Sequence, residues 1–320
     1  MSRASFDCLC AGIVVADHVC APVDHVPAPG ELVLTERMDL TVGGCAANVA
    51  IDLSRLGMRT ALLGAVGRDV FGQSIRNTLE EAGVNCAHLA ESTTRETSGT
   101  LVINSKGEDR RFIHSTGANA DFTGNGIDAE LIQSAPVLYL GGYCLNPELT
   151  SDNVAGLFRR AQSAGVTTVL DVVIPDTADY RRQVEQVLPW TDLFLPNDDE
   201  AALITRVKDP ASQAETFHNA GAKTVVITCG TDGAILCSAE HRLRAATYPI
   251  EFVDGTGSGD AFTAGYLFGL LRRKNVETCL SYGTALGASC VRAAGATTGV
   301  FTAAELDAFV ASHRLEITRL

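Results

Sequence analysis

The chain has 320 residues, 46% of them hydrophobic and 20% charged, with 38 acidic against 25 basic side chains for a net charge of −13. This apolar content supplies a full core and excludes a disordered or collagen-like chain. The acidic balance argues against nucleic acid or an anionic membrane as partner, though not against a phosphorylated ligand held by local backbone N–H groups. No run approaches the ~18 apolar residues of a membrane span.

The first apolar stretch is Cys8 to Val15. A positively charged start is nearly missing and no cleavage site follows, so it reads as a first β-strand rather than a secretory signal. Residues 19–41 are rich in β-branched side chains, are punctuated by Pro27, Pro29 and Gly30, and show no helical period. Gly43-Gly44-Cys45-Ala46-Ala47-Asn48 then opens a helix whose Val49, Leu53 and Leu56 form a core face, and Gly57 closes it. Asn48, Asp52 and Arg55 share the opposite face, which reads as solvated. For Asn48, in the first turn beside two glycines, contact with a hydroxylated ligand is the other reading.

From there short β-type runs alternate with helical patterns. Residues 59–66 read as a strand and Phe71–Glu81 as a helix stopped by Gly83. Pro136–Leu140 read as a strand and Leu149–Ala164 as a helix, then Val166–Asp171 as a strand and Thr177–Leu188 as a helix. Asp192–Leu195 and Lys223–Thr228 are again strand-like. Such alternation predicts βαβ units and a mostly parallel sheet covered on both faces. Thr97–Ser115, with a turn at Lys106-Gly107-Glu108, interrupts it. With 19–41 it is expected to form antiparallel strands of a small β-lid, about 18–41 and 97–116, or else to edge the core sheet. Arg110-Arg111 in this stretch suits a solvated turn or a contact to an anionic substrate.

A second glycine-rich junction, Asp254-Gly255-Thr256-Gly257-Ser258-Gly259-Asp260, follows Phe252-Val253, read as a strand end, and precedes a helix over Ala261–Leu271. Three alternating glycines at a helix N-terminus leave N–H groups open to an anion. The spacing is neither a dinucleotide fingerprint nor a P-loop, since no lysine follows a glycine. Asp260 would repel a polyphosphate. It serves either to stabilise the helix N-terminus or to take the proton of an acceptor hydroxyl during phosphoryl transfer, the helix dipole favouring its ionised form.

The ten cysteines (8, 10, 20, 45, 86, 144, 229, 237, 279, 290) are scattered without C-x-x-C spacing and mostly lie in apolar runs. This predicts buried thiols in a reducing compartment and a cytoplasmic location. The seven histidines show no zinc spacing, and no G-x-S-x-G elbow occurs.

Gly43-Gly44-x-x-Ala47-Asn48 and Asp254-x-Thr256-Gly257-x-Gly259-Asp260 resemble the two signatures of the ribokinase-like (phosphofructokinase-B) carbohydrate kinase family. Similar segments run in the family's order through nearly the whole chain: Gly12 to Asp17, Pro29-Gly30-Glu31, Gly67-x-Asp69-x-Phe71-Gly72, Gly117-Ala118-Asn119-Ala120 and Asp171. Pro196-Asn197-x-x-Glu200, Thr228-x-Gly230-x-x-Gly233 and Gly295-Ala296 complete the series.

The resemblance implies a single α/β domain over 1–320, a Rossmann-like, mostly parallel sheet with helices on both faces and a β-sheet lid. It also implies ATP-dependent phosphorylation of a sugar-like hydroxyl. Asp260 corresponds to the catalytic base, and Gly257 with Gly259 to the anion hole. Asn197 and Glu200 correspond to the pair that organises Mg²⁺ through water, and they also fit a capping box. Thr228, Gly230 and Gly233, with Thr256 and Ser258, fall near the nucleotide. Asp17, Gly44 and Asn48 fall at the sugar, and Tyr143 stands where several members place a lid-side carboxylate.

Val15, Gly142-Tyr143, Gly255 and Ser258 depart from the commoner residues, which leaves the catalytic pattern intact and the sugar open among ribose-, fructose- and ketodeoxygluconate-like substrates. A nucleoside kinase or a non-catalytic sugar- or nucleotide-binding protein of the same fold are the alternatives, and an intact Asp260 with Gly257 and Gly259 disfavours the latter. A K⁺ site is expected from Asp254, Thr256, Cys290, Ala293, Gly295 and Gly299, mostly through carbonyls, unless Asp254 only closes its own turn. A homodimer through the lid is expected from exposed sheet edges.

Overall fold

A computed structural model describes residues 5–107, 110–175 and 178–320. The chain begins β1 (Cys8–Gly12), β2 (Val15–Cys20), β3 (Met38–Gly43), α1 (Cys45–Arg55), β4 (Thr60–Gly67), α2 (Val70–Glu81), β5 (Leu89–Ser92), β6 (Gly99–Ile103) and β7 (Arg111–Ser115). It continues α3 (Ala129–Gln133), β8 (Val137–Tyr143), α4 (Ser151–Ser163), β9 (Thr167–Val172), α5 (Arg181–Glu185), β10 (Leu193–Phe194), α6 (Asp198–Thr205), α7 (Pro210–Asn219) and β11 (Thr224–Thr228). It ends β12 (Ala234–Ser238), β13 (Arg242–Ala245), α8 (Ser258–Leu271), α9 (Val276–Cys290), α10 (Ala303–Ser312) and β14 (Ile317–Arg319).

Ten strands form one sheet in the order β14-β13-β12-β11-β10-β9-β8-β1-β4-β5, parallel from β11 to β5 and antiparallel beyond β11. Its central strands are buried on both faces, so successive residues feed different cores. Cys8 and Cys10 of β1 pack with α1, α2, α8, α9 and α10, whereas Leu9 and Ala11 pack with the helices α3 to α7. Burying one such leucine is worth ~1.5–3 kcal/mol. These layers bring the C-terminal ends of the parallel strands to one edge, the usual place for a ligand in an open α/β sheet.

A separate four-stranded sheet, β3-β2-β6-β7, forms the lid. The expected single strand Cys8–Val15 is therefore two strands: β1 ends at Gly12 in the core sheet, and β2 begins at Val15 in the lid. The lid is not wholly antiparallel. β2 pairs antiparallel with β3 but parallel with β6, because the intervening chain crosses through α1, β4, α2 and β5. Cross-strand register gives the lid two unlike faces. Thr41, Asp17, Thr100 and His114 lie in one row, and Leu40, His18, Leu101 and Ile113 form the adjacent row on the other face.

Three further expectations change. The helix expected over Thr177–Leu188 is the short α5 with a 3₁₀ turn at Leu188–Trp190; Thr177 lies outside the described residues. Phe252-Val253 ends no strand; both residues are exposed in a loop tied by the Val253 N–H to the Val291 carbonyl. Asp52 is not on a solvated face: it is fully buried where α8 covers α1. Glu108, in the expected lid turn, lies outside the described residues.

Candidate active site

The helix N-termini locate the site. α2, α4, α6, α7, α9 and α10 each begin at a side chain that accepts a backbone N–H, namely Asp69, Thr150, Asn197, Asp209, Asn275 and Thr302. α1 and α8 begin instead at Gly44 and Gly257, with no side-chain cap. Their first-turn N–H groups are left for another acceptor, and both positive dipole ends meet at one place. Gly257 lies at φ 75°, and a Cβ there would stand 2.4 Å from the Ala296 carbonyl oxygen, so a side chain fails on backbone conformation and on space.

Asp260 sits in the first turn of α8, and its Oδ2 accepts a 2.8 Å hydrogen bond from Asn48 Nδ2 in the first turn of α1. A cleft of about 260 Å³ opens beside it. The lining includes Cys45, Asp171, Asn197, Glu200, Thr228, Gly255 and the Gly257–Asp260 segment. Ligand-type atoms of Cys45, Asp171 and Asp260 lie within 4.8 Å of one another. Burial pushes Asp260 above the ordinary carboxylate range, opposed by the bonds from Asn48 and Cys45; the helix terminus does not keep it low. Asp171 is also pushed well up, by burial and then by Asp260 and Glu200, while its Oδ2 accepts from Tyr139 Oη at 2.8 Å. Burial and the same carboxylates hold the Cys45 thiol protonated.

Asn197 and Glu200 form the expected capping box: Asn197 Oδ1 accepts the Glu200 N–H at 2.8 Å, and Glu200 Oε2 accepts the Asn197 N–H at 3.0 Å. Burial still pushes Glu200 up to about 7. An isolated bridge joins Asn197 to Thr228, which sets the ends of β10 and β11 side by side, with Gly230 and Gly233 in the turn after β11. Asp17 reaches the site from the lid. Its carboxylate lies over Gly43, where a Cβ would stand 1.9 Å from Oδ2, and burial pushes its pKa up to about 6, with a further rise from Asp260.

Tyr143 does not join this group. Its side chain is fully buried in the core shared with α4 and α5, and its hydroxyl donates to the Gln183 carbonyl at 3.3 Å, which corrects its place among the sugar contacts. The expected cation residues come together only in part. Asp254 Oδ2 accepts the Gly295 N–H at 3.0 Å, and its Oδ1 accepts from Arg110 at 3.0 Å. Despite partial burial, these partners and Thr256 hold Asp254 below the usual range. The Cys290 thiol lies against the carbonyls of Thr256 and Ala296, at 3.2 and 3.1 Å. The Gly299 carbonyl already accepts from Arg292, and that of Cys290 from the Ala293 N–H.

Several residues at the site were not singled out as site residues in the sequence. Ala296, Thr263 and Cys45 carry no local signal beyond their neighbours in the glycine motifs. Arg110 does carry one, as a lid arginine, but its partner is the Asp254–Thr256 turn, whose hydroxyl Thr256 Oγ1 it also bonds.

The model of the pfkB family of carbohydrate kinases matches residues 5–303. The ribokinase of Haemophilus influenzae is 26% identical over 304 residues, covering 93% of this chain and 96% of that protein. In structure the chain is similar to Arabidopsis thaliana ribokinase complexed with ribose and ATP, with a TM-score of 0.84 at 22% identity, covering 96% of this chain and 99% of the other. A putative ribokinase II from E. coli, in complex with ATP and Mg²⁺, gives the same TM-score and identity over 96% and 100% of the two chains. The chain belongs to the pfkB family of carbohydrate kinases.

Proposed function

We propose that this carbohydrate kinase transfers the γ-phosphoryl group of ATP to a hydroxyl of a small sugar, with Asp260 as the base. The observation that carries this reading is the placement of one carboxylate, held by Asn48, inside an uncapped helix N-terminus built to receive an anion. A site for binding phosphate alone gains nothing from that carboxylate. A site that must also hold an acceptor hydroxyl needs it.

In this reading the acceptor hydroxyl donates to Asp260, and its proton passes to Oδ as the oxygen bonds to phosphorus and the bond to ADP breaks. The N–H groups at Gly257–Gly259 face the charge that spreads over the phosphoryl oxygens. A base with a raised pKa is better matched to neutral pH than an ordinary aspartate. The nucleotide lies along Thr228, Gly230, Gly233, Thr256 and Ser258, and the sugar meets Asp17, Gly44 and Asn48.

Asn197 and Glu200 would hold Mg²⁺ through water. The residues fit it, since Glu200, Asp171 and Asp260 are crowded, raised carboxylates that a divalent cation relieves. When bound, the ion neutralises phosphate charge. A monovalent cation such as K⁺ is the finer proposal for the turn behind the anion hole, now resting on Asp254 and the Thr256 and Ala296 carbonyls. A second copy of the chain is proposed to cover the lid's outer face, where Met38, Leu40, Leu101 and Ile113 are exposed.

ADP release from Mg-ATP, measured against ribose, fructose, fructose phosphates, ketodeoxygluconate, inositol and nucleosides, tests the reading. Sugar-dependent release is expected; release that no acceptor stimulates would count against it.

A further inference from the structure

The lid row that contains Asp17 continues past it, and the hydrogen bonds along that row have a direction. Thr100 stands between Asp17 and His114 in register; its hydroxyl works against the rise in the Asp17 pKa and lies 3.0 Å from His114 Nδ1. A hydroxyl has one proton to give, and an ionised carboxylate only accepts. With the Thr100 proton given to Asp17, its oxygen is left to accept from Nδ1–H of His114. In that tautomer Nε2 is a bare lone pair. Nε2 is closed off from solvent and has no hydrogen-bond partner. A buried acceptor of this kind is costly unless a ligand supplies the missing proton.

The charged side chains that line the cleft beside Asp260 are carboxylates. Asp17 lies within electrostatic reach of Asp260, and the cleft beside Asp260 is lined by Asp171, Glu200 and Asp260, with no Lys, Arg or His among its described lining residues. The lid's Arg110 is engaged with Asp254 and Thr256. Burial pushes His114 below its ordinary pKa, so it adds no positive charge at neutral pH.

We propose that Asp17 and His114, linked through Thr100, form a pair of acceptors that read two hydroxyls of an uncharged, polyhydroxylated acceptor substrate, and that the site disfavours sugars carrying a phosphate or carboxylate. This rests on the sugar-kinase reading and narrows it. Thr100 is a positioning residue, and His114 is a specificity-determining one. A hydrogen-bonding site rejects analogues that leave its buried groups unpaired far more strongly than an apolar pocket rejects extra bulk.

Two measurements decide it. Long-range ¹H–¹⁵N spectra of the ring of His114 in the free protein should show the Nδ1–H tautomer, and Thr100→Val should lose it. An Nε2–H tautomer in the wild type overturns the proposal. In initial-rate assays, His114→Phe and Thr100→Val should raise KM for a neutral sugar about tenfold or more while KM for ATP stays within about twofold. His114→Gln, which keeps an acceptor oxygen, should recover part of the loss. An unchanged sugar KM, or a wild type that prefers a sugar phosphate or sugar acid, overturns the inference alone. A wild type that phosphorylates no sugar defeats the kinase reading and this inference with it.

Discussion

Asn48 and Asp260, 212 residues apart in the chain, are joined by a 2.8 Å bond between the first turns of α1 and α8. Each helix starts at a glycine, so nothing local holds either side chain; they hold each other. Removing Asn48 takes away the strongest partner that lowers Asp260, whose pKa burial already raises. Asn48→Ala should therefore move the acidic limb of the kcat/KM profile to higher pH and reduce the rate at pH 7 by ~10–100-fold. An acidic limb that stays in place would separate Asn48 from the base.

Asp17 sets function against stability. Its folded pKa of about 6 lies above the ordinary 3.8, mainly through burial, so the folded state prefers the protonated acid. The sign follows: its contribution favours folding fully below the unfolded value and is lost as pH rises through about 6. At pH 8 this amounts to ~1–3 kcal/mol, reduced by partial exposure to solvent. Asp17→Asn should raise Tm by a few degrees at pH 8, with the gain vanishing near pH 4, while KM for sugar rises strongly. A melting temperature that falls equally at both pH values would contradict this.

The turn at Asp254 makes a salt prediction. If a cation on the Thr256 and Ala296 carbonyls steadies the N–H groups of the next turn, replacing K⁺ by tetramethylammonium at fixed ionic strength should slow the wild type severalfold. Asp254→Ala should lose most of that response. Equal wild-type rates in the two buffers would remove the cation.

The outer row of the lid, with Leu101 and Ile113 exposed, should be covered by a second copy. Sedimentation is expected to give a dimer at micromolar concentration and a monomer for Ile113→Glu. A wild-type monomer at every working concentration would end this assignment.

Much of the site was legible because it is built from local signals. Gly44 and Gly257 mark helix starts, Asn197 with Glu200 is a capping box three residues wide, and the βα alternation shows in apolar spacing. What was not legible depends on distant chain. Asp52 reads as solvated until α8 lies on α1, and burial then leaves both its carboxylate oxygens unpartnered. Tyr143 points into the α4 and α5 core because alternate residues of a doubly buried strand serve opposite layers, and the sequence does not say which residue faces which layer. The parallel pairing of β2 with β6 follows from a crossover of some eighty residues, beyond the reach of any turn motif. Thr100 and His114 meet Asp17 only through that register.

The central claim is that Asp260 takes the acceptor's proton, and one comparison tests it most directly. ATP labelled in its γ-phosphoryl group is incubated with Mg²⁺ and the best sugar from the screen, with wild type and with Asp260→Asn, and label is counted in the sugar product. Label should pass to the sugar with the wild type and fall ~10²–10⁴-fold with Asp260→Asn, while ATP binding by calorimetry stays at or slightly above the wild-type level. Near-wild-type transfer by a folded Asp260→Asn protein would contradict the account.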